Sequence, residues 1–517
     1  MQNKSRTANS LRNAKVALGF YVLNLALQFF SRKIFLDYLG SEVLGLNTTA
    51  QNLLGFLNLA ELGIGAAVSY SLYKPLFDGD KKTINDIVSI QGWIYRKIAW
   101  VVIAGACVLM CFFPLIFAKA DVPMWYTYGS FIVLLVSALL GYFVNYRQIV
   151  LSADQKEYKV TYCTKSGMAL KVAVQMAAIY LLDNGYVWWM VIEIVSAFVI
   201  AWVLNRTIKK EYPWLHPTIN RGKELRKQYP EIITKTKQVF FHKIGGFVLS
   251  QTSPLIIYAY ASLTLVAIYG NYMLMVTGIA ALMNALLNGI TAGIGNLVAE
   301  GNKQNIKAVF WKIITLRMWL AAVACFGMYM LGHPFITLWV GPEYLMPQSA
   351  FIILILITFI NLMRTADAFL SAYGLFRDVW APVVEASLNL GLSILLGYYF
   401  GLTGILSGVL ISLIIIVNSW KPYFLYRNGF RESVWEYVWL YTKKLLLLLL
   451  PFAVSVWIAT HHIHLSADTY IGWLTYGGAV VMIYVVLSLL LLWLVDEAMR
   501  TLIRQFLGMA TSRLRRR

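Results

Sequence analysis

Arg32, Lys171, Lys243, Arg317 and Arg364 stand inside runs of apolar residues, and the acidic residues in such runs are fewer: Glu61, Glu193, Asp367 and Glu385. A charge surrounded by hydrocarbon is costly, and it is kept where it meets a partner, a water-filled path or a charged ligand. Arg offers a planar fork that grips phosphate through two bonds, whereas Lys offers a point charge. Basic side chains lining one cavity, with few carboxylates, favour an anionic substrate. Glu61 and Glu193 read either as buried structural hydrogen-bonding groups or as carriers of a coupling ion, and Asp367 and Glu385 join that set. At a helix rise of ~1.5 Å per residue, Arg32 lies roughly 10 Å below the outer end of its span, and Lys171 and Arg317 lie near mid-depth. The competing reading for each base is a side chain that reaches out to an interface. It is strong for Lys243, Lys165 and Lys312, and for Lys33 a local pair with Asp37 suffices.

Other chemistries find no footing. No GxxxxGK[ST] phosphate loop occurs, so ATP hydrolysis by that route is excluded. Cys107, Cys111, Cys163 and Cys325 lack metal-ligand spacing and read as small core residues. His461, His462 and His464 read as part of a wet outer loop rather than a metal site. No cofactor is called for, and the energy source is left open among an H+ gradient, an Na+ gradient and the membrane potential.

These residues must be carried by membrane-spanning helices. Hydrophobic residues make up 59% of the chain and charged residues 13%, against about 25% charged in soluble domains. Runs such as Val101–Phe117 and Leu474–Val495 approach or exceed the ~20 residues that cross a bilayer as helix. The expectation is an all-α polytopic membrane protein with fourteen spans. They fall near 14–39, 43–73, 87–117, 124–150, 158–182, 186–207, 236–259, 263–298, 308–332, 347–371, 379–400, 403–426, 437–460 and 470–495. The longer ones imply tilt or extension into the headgroups.

The net charge of +20 is distributed as in a membrane protein, not as in a nucleic-acid binder. Of the 44 Lys and Arg, only Arg32, Lys33 and Lys119 fall on the outer half once the N-terminus is put inside. That asymmetry places both termini in the cytoplasm. Met1–Lys15 reads as a polar, basic cytoplasmic start with no cleavable signal. The loop Arg206–Lys227 and the tail Arg513–Arg517 are expected to touch anionic headgroups.

The chain also repeats itself. Asp78–Ile84 reads DGDKKTI and Glu300–Ile306 reads EGNKQNI, 222 positions on; Leu151-Ser152-Ala153 returns as Leu370-Ser371-Ala372 after 219. Each pair is displaced by six spans, an even number, which makes the copies parallel repeats with a site expected between them. A weaker echo links Leu62-Gly63-Ile64-Gly65 to Ala292-Gly293-Ile294-Gly295, where close helix packing is the default explanation. The organisation is then an N-terminal lobe at 1–212, a cytoplasmic linker at 213–235, a C-terminal lobe at 236–430, and two further spans with the basic tail at 431–517.

The stretch SRKIFLDYLGSEVLGLNTTAQNLLGFLNLAELGIGAAVSYSLYKPLFDGDKK (Ser31–Lys82) resembles the N-terminus of bacterial polysaccharide flippases of the Wzx type. These belong to the multidrug/oligosaccharidyl-lipid/polysaccharide exporter (MOP) superfamily. LVAIYGNYMLM (Leu265–Met275) and AGIGNLVAEGNKQNI (Ala292–Ile306) resemble the second lobe of the same family. The resemblance implies two six-helix lobes around a cationic cavity and a C-terminal helix pair flanking a lipid-facing groove. It also implies passage of an undecaprenyl-pyrophosphate-linked oligosaccharide from the cytoplasmic to the periplasmic leaflet of the inner membrane by alternating access. The family's first-helix Arg before a Leu-Gly turn matches Arg32, ahead of Leu39-Gly40. Where relatives often carry an Asp late in the seventh span, this chain has Ser253 and Pro254, so ion coupling at that position is not carried over.

The resulting expectation is a non-enzymatic flippase whose partners are the lipid-linked oligosaccharide, anionic membrane lipids, and polymerase and glycosyltransferases of the same pathway. A cation-coupled multidrug exporter of the same fold is the main alternative, and it predicts acidic residues in the N-terminal cavity. A membrane glycan polymerase or transferase would call for a large outer loop or an acidic metal-binding pair such as DxD.

Overall fold

The computed structural model describes the backbone of residues 2–514 except 62–63, 261, 293, 376–377 and 379. Side chains are described apart from those of residues 1–11, 14, 59–60, 62–63, 66, 235, 238–239, 241–252, 261, 285–286, 288–293, 295–296, 299, 376–377, 379 and 506–517. Lys243, Gly63, Gly293 and the end of the basic tail thus lie, as side chains, outside the described residues.

Every regular element among the described residues is helical. The chain divides into two compact units, Met1–Ala267 and Ile268–Arg517. In the first run α1 (Gln2–Leu57), α2 (Ile64–Asp78), α3 (Lys81–Cys111), α4 (Phe113–Ile116), α5 (Met124–Phe143), α6 (Gln148–Ala153), α7 (Glu157–Leu181), α8 (Gly185–Glu211), α9 (Gly222–Leu225) and α10 (Pro230–Tyr260). The division falls early in α11 (Leu263–Ala292), and α10 packs on α1 and α2. The second unit continues with α12 (Ile294–Ala299), α13 (Lys303–Trp339), α14 (Gln348–Leu362), α15 (Ala366–Ala372), α16 (Trp380–Leu413), α17 (Lys421–Leu425), α18 (Val434–His462), α19 (Tyr470–Val495) and α20 (Glu497–Leu514).

Among the described residues, the fourteen expected spans fall mostly on helix. Nine stretches among the described residues are long and apolar enough to cross a membrane, and one of them, Trp380–Phe430, holds two expected spans. Gly401, at φ 55°, interrupts it, as Gly40 at φ 80° interrupts α1; both positions use a backbone that glycine adopts without steric cost.

The repeated turns have the same construction. Gly79 and Gly301 take φ 72° and 75°, and the next residue caps a long helix. Asp80 accepts from Thr83 N–H at 3.1 Å and Asn302 accepts from Asn305 N–H at 3.1 Å. An Asx side chain satisfying a free N–H at a helix start explains why acid or amide recurs at that place.

The first unit is centred on Tyr186, fully buried, stacked on Trp189 at 5.6 Å and donating to Asn47 Oδ1 at 2.8 Å. In the second unit α13 packs on α14, α18 and α19, and Phe310 meets Phe369, Phe430 and Tyr426 edge to face. Phe326 stacks on Tyr484 at 4.5 Å. Such ring contacts matter in a bilayer, where packing rather than water exclusion holds helices together. One sequence expectation fails here: Cys107 and Cys111 are exposed, not core. In a membrane helix the outward face is apolar too, so a small apolar residue carries no sign of which way it points.

Candidate functional site

Within the first unit, α7 and α8 bring Lys171 and Glu193 together. Lys171 Nζ lies 2.7 Å from Glu193 Oε1, and Gln175 Nε2 donates to Glu193 Oε2 at 2.9 Å. Gln175 also reaches the Trp189 carbonyl, at 3.2 Å. The two charges thus form one satisfied network. Arg32 is committed as well: Nη2 donates to the Ala267 carbonyl at 2.9 Å, tying α1 to the start of α11. Nearby, Thr264 donates to Glu42 Oε1 at 2.8 Å and lies 3.2 Å from Ser41 Oγ. Lys33 pairs with Asp37 at 3.3 Å, the local partner its spacing predicts.

Glu61 has different surroundings. Tyr95 OH donates to Glu61 Oε1 at 3.0 Å, and Tyr142 OH donates to Asn58 Oδ1 at 2.9 Å. Glu61, Asn58, Gln91, Tyr95 and Tyr142 line a cavity of about 220 Å³. The arrangement offers a carboxylate and amide oxygens, with no cation paired to Glu61 among the described residues. It is able to accept a proton or a small cation.

The second unit holds the richer cluster. Arg364 Nη2 lies 3.0 Å from Glu385 Oε1, and Lys421 Nζ lies 2.5 Å from Asp367 Oδ1. Arg317 Nη1 donates to the Arg364 carbonyl at 3.2 Å. Three cations therefore stand among two carboxylates, and Arg364 Nε is buried without a hydrogen-bond partner among the described residues. Arg364, Asp367, Asn418, Lys421 and Tyr441 bound a cavity of about 20 Å³, enough for about one water.

An open groove of about 790 Å³ adjoins this cavity, walled by Trp380, Val384, Ile415, Trp420, Tyr423 and Val438. Asn418, Tyr437 and Tyr441 line both spaces. The segment Ile414–Trp420 is a π-helix, a widened turn that recurs at functional sites. It presents Asn418 to Tyr441, whose hydroxyl donates to Asn418 Oδ1 at 2.9 Å.

Of the charges expected from sequence, Lys171 meets Glu193, and Arg317, Arg364, Asp367 and Glu385 form one neighbourhood. Lys421 was missed, although the rule that singles out Arg364, an ionisable residue inside an apolar run, applies equally to it. Tyr95, Gln91, Asn418 and Tyr441 were missed for a better reason, since neutral polar residues inside spans are common and their partners depend on helix rotation.

No protein-family model matches the chain, and no curated protein matches it in sequence. Solved structures do. A lipid II flippase, MurJ, in an inward closed conformation has a TM-score of 0.62 at 14% identity, covering 90% of this chain and 98% of that one. An inward-facing multidrug resistance MATE family transporter of the MOP superfamily scores 0.56 at 14% identity, covering 78% and 94%. An outward-facing structure described in the same terms scores 0.52 at 14% identity, covering 82% and 96%. The chain is a helical, multi-pass membrane protein with the fold that these MOP-type transporters and this lipid flippase share.

Proposed function

We propose that the protein is a flippase for a lipid-linked glycan. Its cargo would be an undecaprenyl-pyrophosphate-linked oligosaccharide, an O-antigen or capsular/exopolysaccharide repeat unit, carried from the cytoplasmic to the periplasmic leaflet of a bacterial inner membrane. The observation that carries this reading is the contact between a cation-rich polar cavity and an apolar aromatic groove in one unit, with Asn418, Tyr437 and Tyr441 common to both. A ligand with an anionic head and a long hydrocarbon tail needs both surfaces side by side. Arg364, Arg317 and Lys421 are the proposed phosphate ligands, with Glu385 and Asp367 holding them until the substrate arrives. Arg32, Lys171 and Lys243 remain further candidates from the sequence, and Lys171 would have to exchange Glu193 for phosphate.

The likeness to a lipid II flippase supports the class of cargo, and the inner concentration of Lys and Arg supports cytoplasmic termini. Glycosyltransferases would supply the substrate and a polymerase would consume it. Transport by alternating access requires no covalent chemistry from the protein.

A second reading, a cation-coupled multidrug exporter, is favoured by one observation: Glu61 faces a polar cavity without a basic partner among the described residues. A vesicle assay separates the two readings. Reconstituted protein should move a fluorescent lipid-linked oligosaccharide between leaflets, and Arg364→Ala and Trp420→Ala should each slow it by at least tenfold. Equal movement in empty vesicles, or unimpaired movement by both variants, would remove the flippase reading.

A further inference from the structure

A second basic site lies apart from the groove, at the end of the second unit that the distribution of Lys and Arg assigns to the cytoplasm. The chain breaks out of helix at Asp496, between α19 and α20. A cleft of about 650 Å³ there is bounded by residues of α13, α18 and α20.

Lys312, Lys443, Lys444 and Arg500 line this cleft against Asp496 and Glu497. One cation is already used. Lys444 is buried, pairs with Asp496 and donates to Thr315 Oγ1 at 2.8 Å. Asp496 is used too, because Oδ1 accepts from Met499 N–H at 2.9 Å and so caps α20. Lys312 and Lys443 have no ion-pair partner among the described residues. Arg500 Nη2 reaches only the Leu494 carbonyl, at 3.4 Å, and its Nε is buried with no hydrogen-bond partner among the described residues.

Lysines extending to the headgroups would account for Lys443, which is exposed. That explanation does not cover the buried, unmet donor of Arg500. Nor does it cover the apolar side chains of Trp311, Leu440 and Val495, which line the same cleft. A buried donor without an acceptor is rare in folded proteins and calls for a missing partner. Cations without ion pairs beside apolar side chains suit a partner that is anionic at one end and hydrocarbon at the other.

We infer that this cleft binds the phosphodiester headgroup of an anionic phospholipid, held by Lys312, Lys443 and Arg500, with an acyl chain against Trp311, Leu440 and Val495. Basic pockets between transmembrane helices at the cytoplasmic surface suit such headgroups. Inorganic phosphate would satisfy the cations and leave the apolar side chains unused, which is why the lipid is preferred. The inference does not depend on what the protein transports.

The test uses the full chain, purified and delipidated in neutral detergent, with dioleoylphosphatidylglycerol as probe and bound lipid read by native mass spectrometry. Lys312→Gln/Lys443→Gln should bind the lipid about tenfold more weakly than wild type. Lys312→Arg/Lys443→Arg should bind as wild type, and so should Lys81→Gln/Lys82→Gln, which removes equal charge from the other unit. Three results would overturn the inference: unchanged binding by Lys312→Gln/Lys443→Gln, an equal loss in Lys81→Gln/Lys82→Gln, or displacement of the lipid by sodium phosphate at equimolar concentration. The removed lysines make no ion pairs, and a monodisperse elution profile checks that the variant is folded.

Discussion

Gln155 and Gly374, 219 positions apart, hold the same left-handed backbone, at φ 57° and 65°. Each ends a short helix of the repeat, α6 or α15, and the closing bonds match. Lys156 N–H reaches the Leu151 carbonyl at 2.8 Å, and Leu375 N–H reaches the Leu370 carbonyl at 2.9 Å. Glycine occupies this conformation freely and glutamine does not. Gln155 Oε1 is also buried without a partner among the described residues. Gln155→Gly should therefore stabilise the protein, and Gly374→Gln should destabilise it, each by about 1 kcal/mol. Thermal unfolding in detergent measures both, and a destabilising Gln155→Gly would contradict the argument.

Lys171 and Glu193 should behave as a unit. Their side chains are 18% and 8% exposed, so removing one leaves a charge poorly solvated. Lys171→Met or Glu193→Gln alone should cost about 3 kcal/mol, and the double variant less than the sum. Additive costs in that cycle would mean that the 2.7 Å contact carries no coupling.

Glu61→Gln keeps an oxygen for the Tyr95 hydroxyl and removes the charge. We predict normal folding and a lost response to an imposed H+ or Na+ gradient in proteoliposomes. If transport by Glu61→Gln follows the gradient as wild type does, Glu61 is a structural hydrogen-bonding group.

An ion cluster at the start of α7 and the end of α8 sets a pH dependence. Lys156 lies 2.7 Å from Asp154 and 2.9 Å from Glu211, and Lys159 also binds Glu211. Hydrogen bonds from Lys156 and Lys159 hold Glu211 below the usual carboxylate range. Burial pulls Lys156 down, but its bonds to Asp154 and Glu211 outweigh that and raise it above the usual lysine range. Glu211 therefore adds stability above its unfolded pKa, and the gain is lost as pH falls through its lowered folded value. Lys156 adds stability below its unfolded pKa, lost as pH rises through its raised folded value. Glu211→Gln should cost about 1 kcal/mol near neutrality, and the difference from wild type should close in acid. A constant difference from neutral to acid pH would reject this assignment.

Much of the fold is written in local signals. Hydropathy marks the helices, and a glycine followed by Asp or Asn marks both repeated turns, because backbone handedness and the cap each demand few residue types. The site is less legible. Arg364 and Glu385 announce themselves as charges in apolar runs, yet their pairing depends on how α16 is rotated. The π-helix at Ile414–Trp420 has no compositional trace, so the presentation of Asn418 to Tyr441 was out of reach. Lys444 and Asp496 follow the same pattern as Lys171 and Glu193, a charge visible in the sequence whose partner is not.

The groove beside Asn418 has a consequence for selectivity. A hydrocarbon chain moving into it from the bilayer exchanges one apolar environment for another, so the hydrophobic effect contributes little. On the proposed flippase reading, ordinary acyl chains would fill the groove between cargoes, and a cargo tail would displace them on nearly equal terms. On the same reading, discrimination would then fall to the polar end, to Arg364, Lys421 and Arg317. The length of the lipid tail should hardly matter to affinity, whereas the number of its phosphates should matter a great deal.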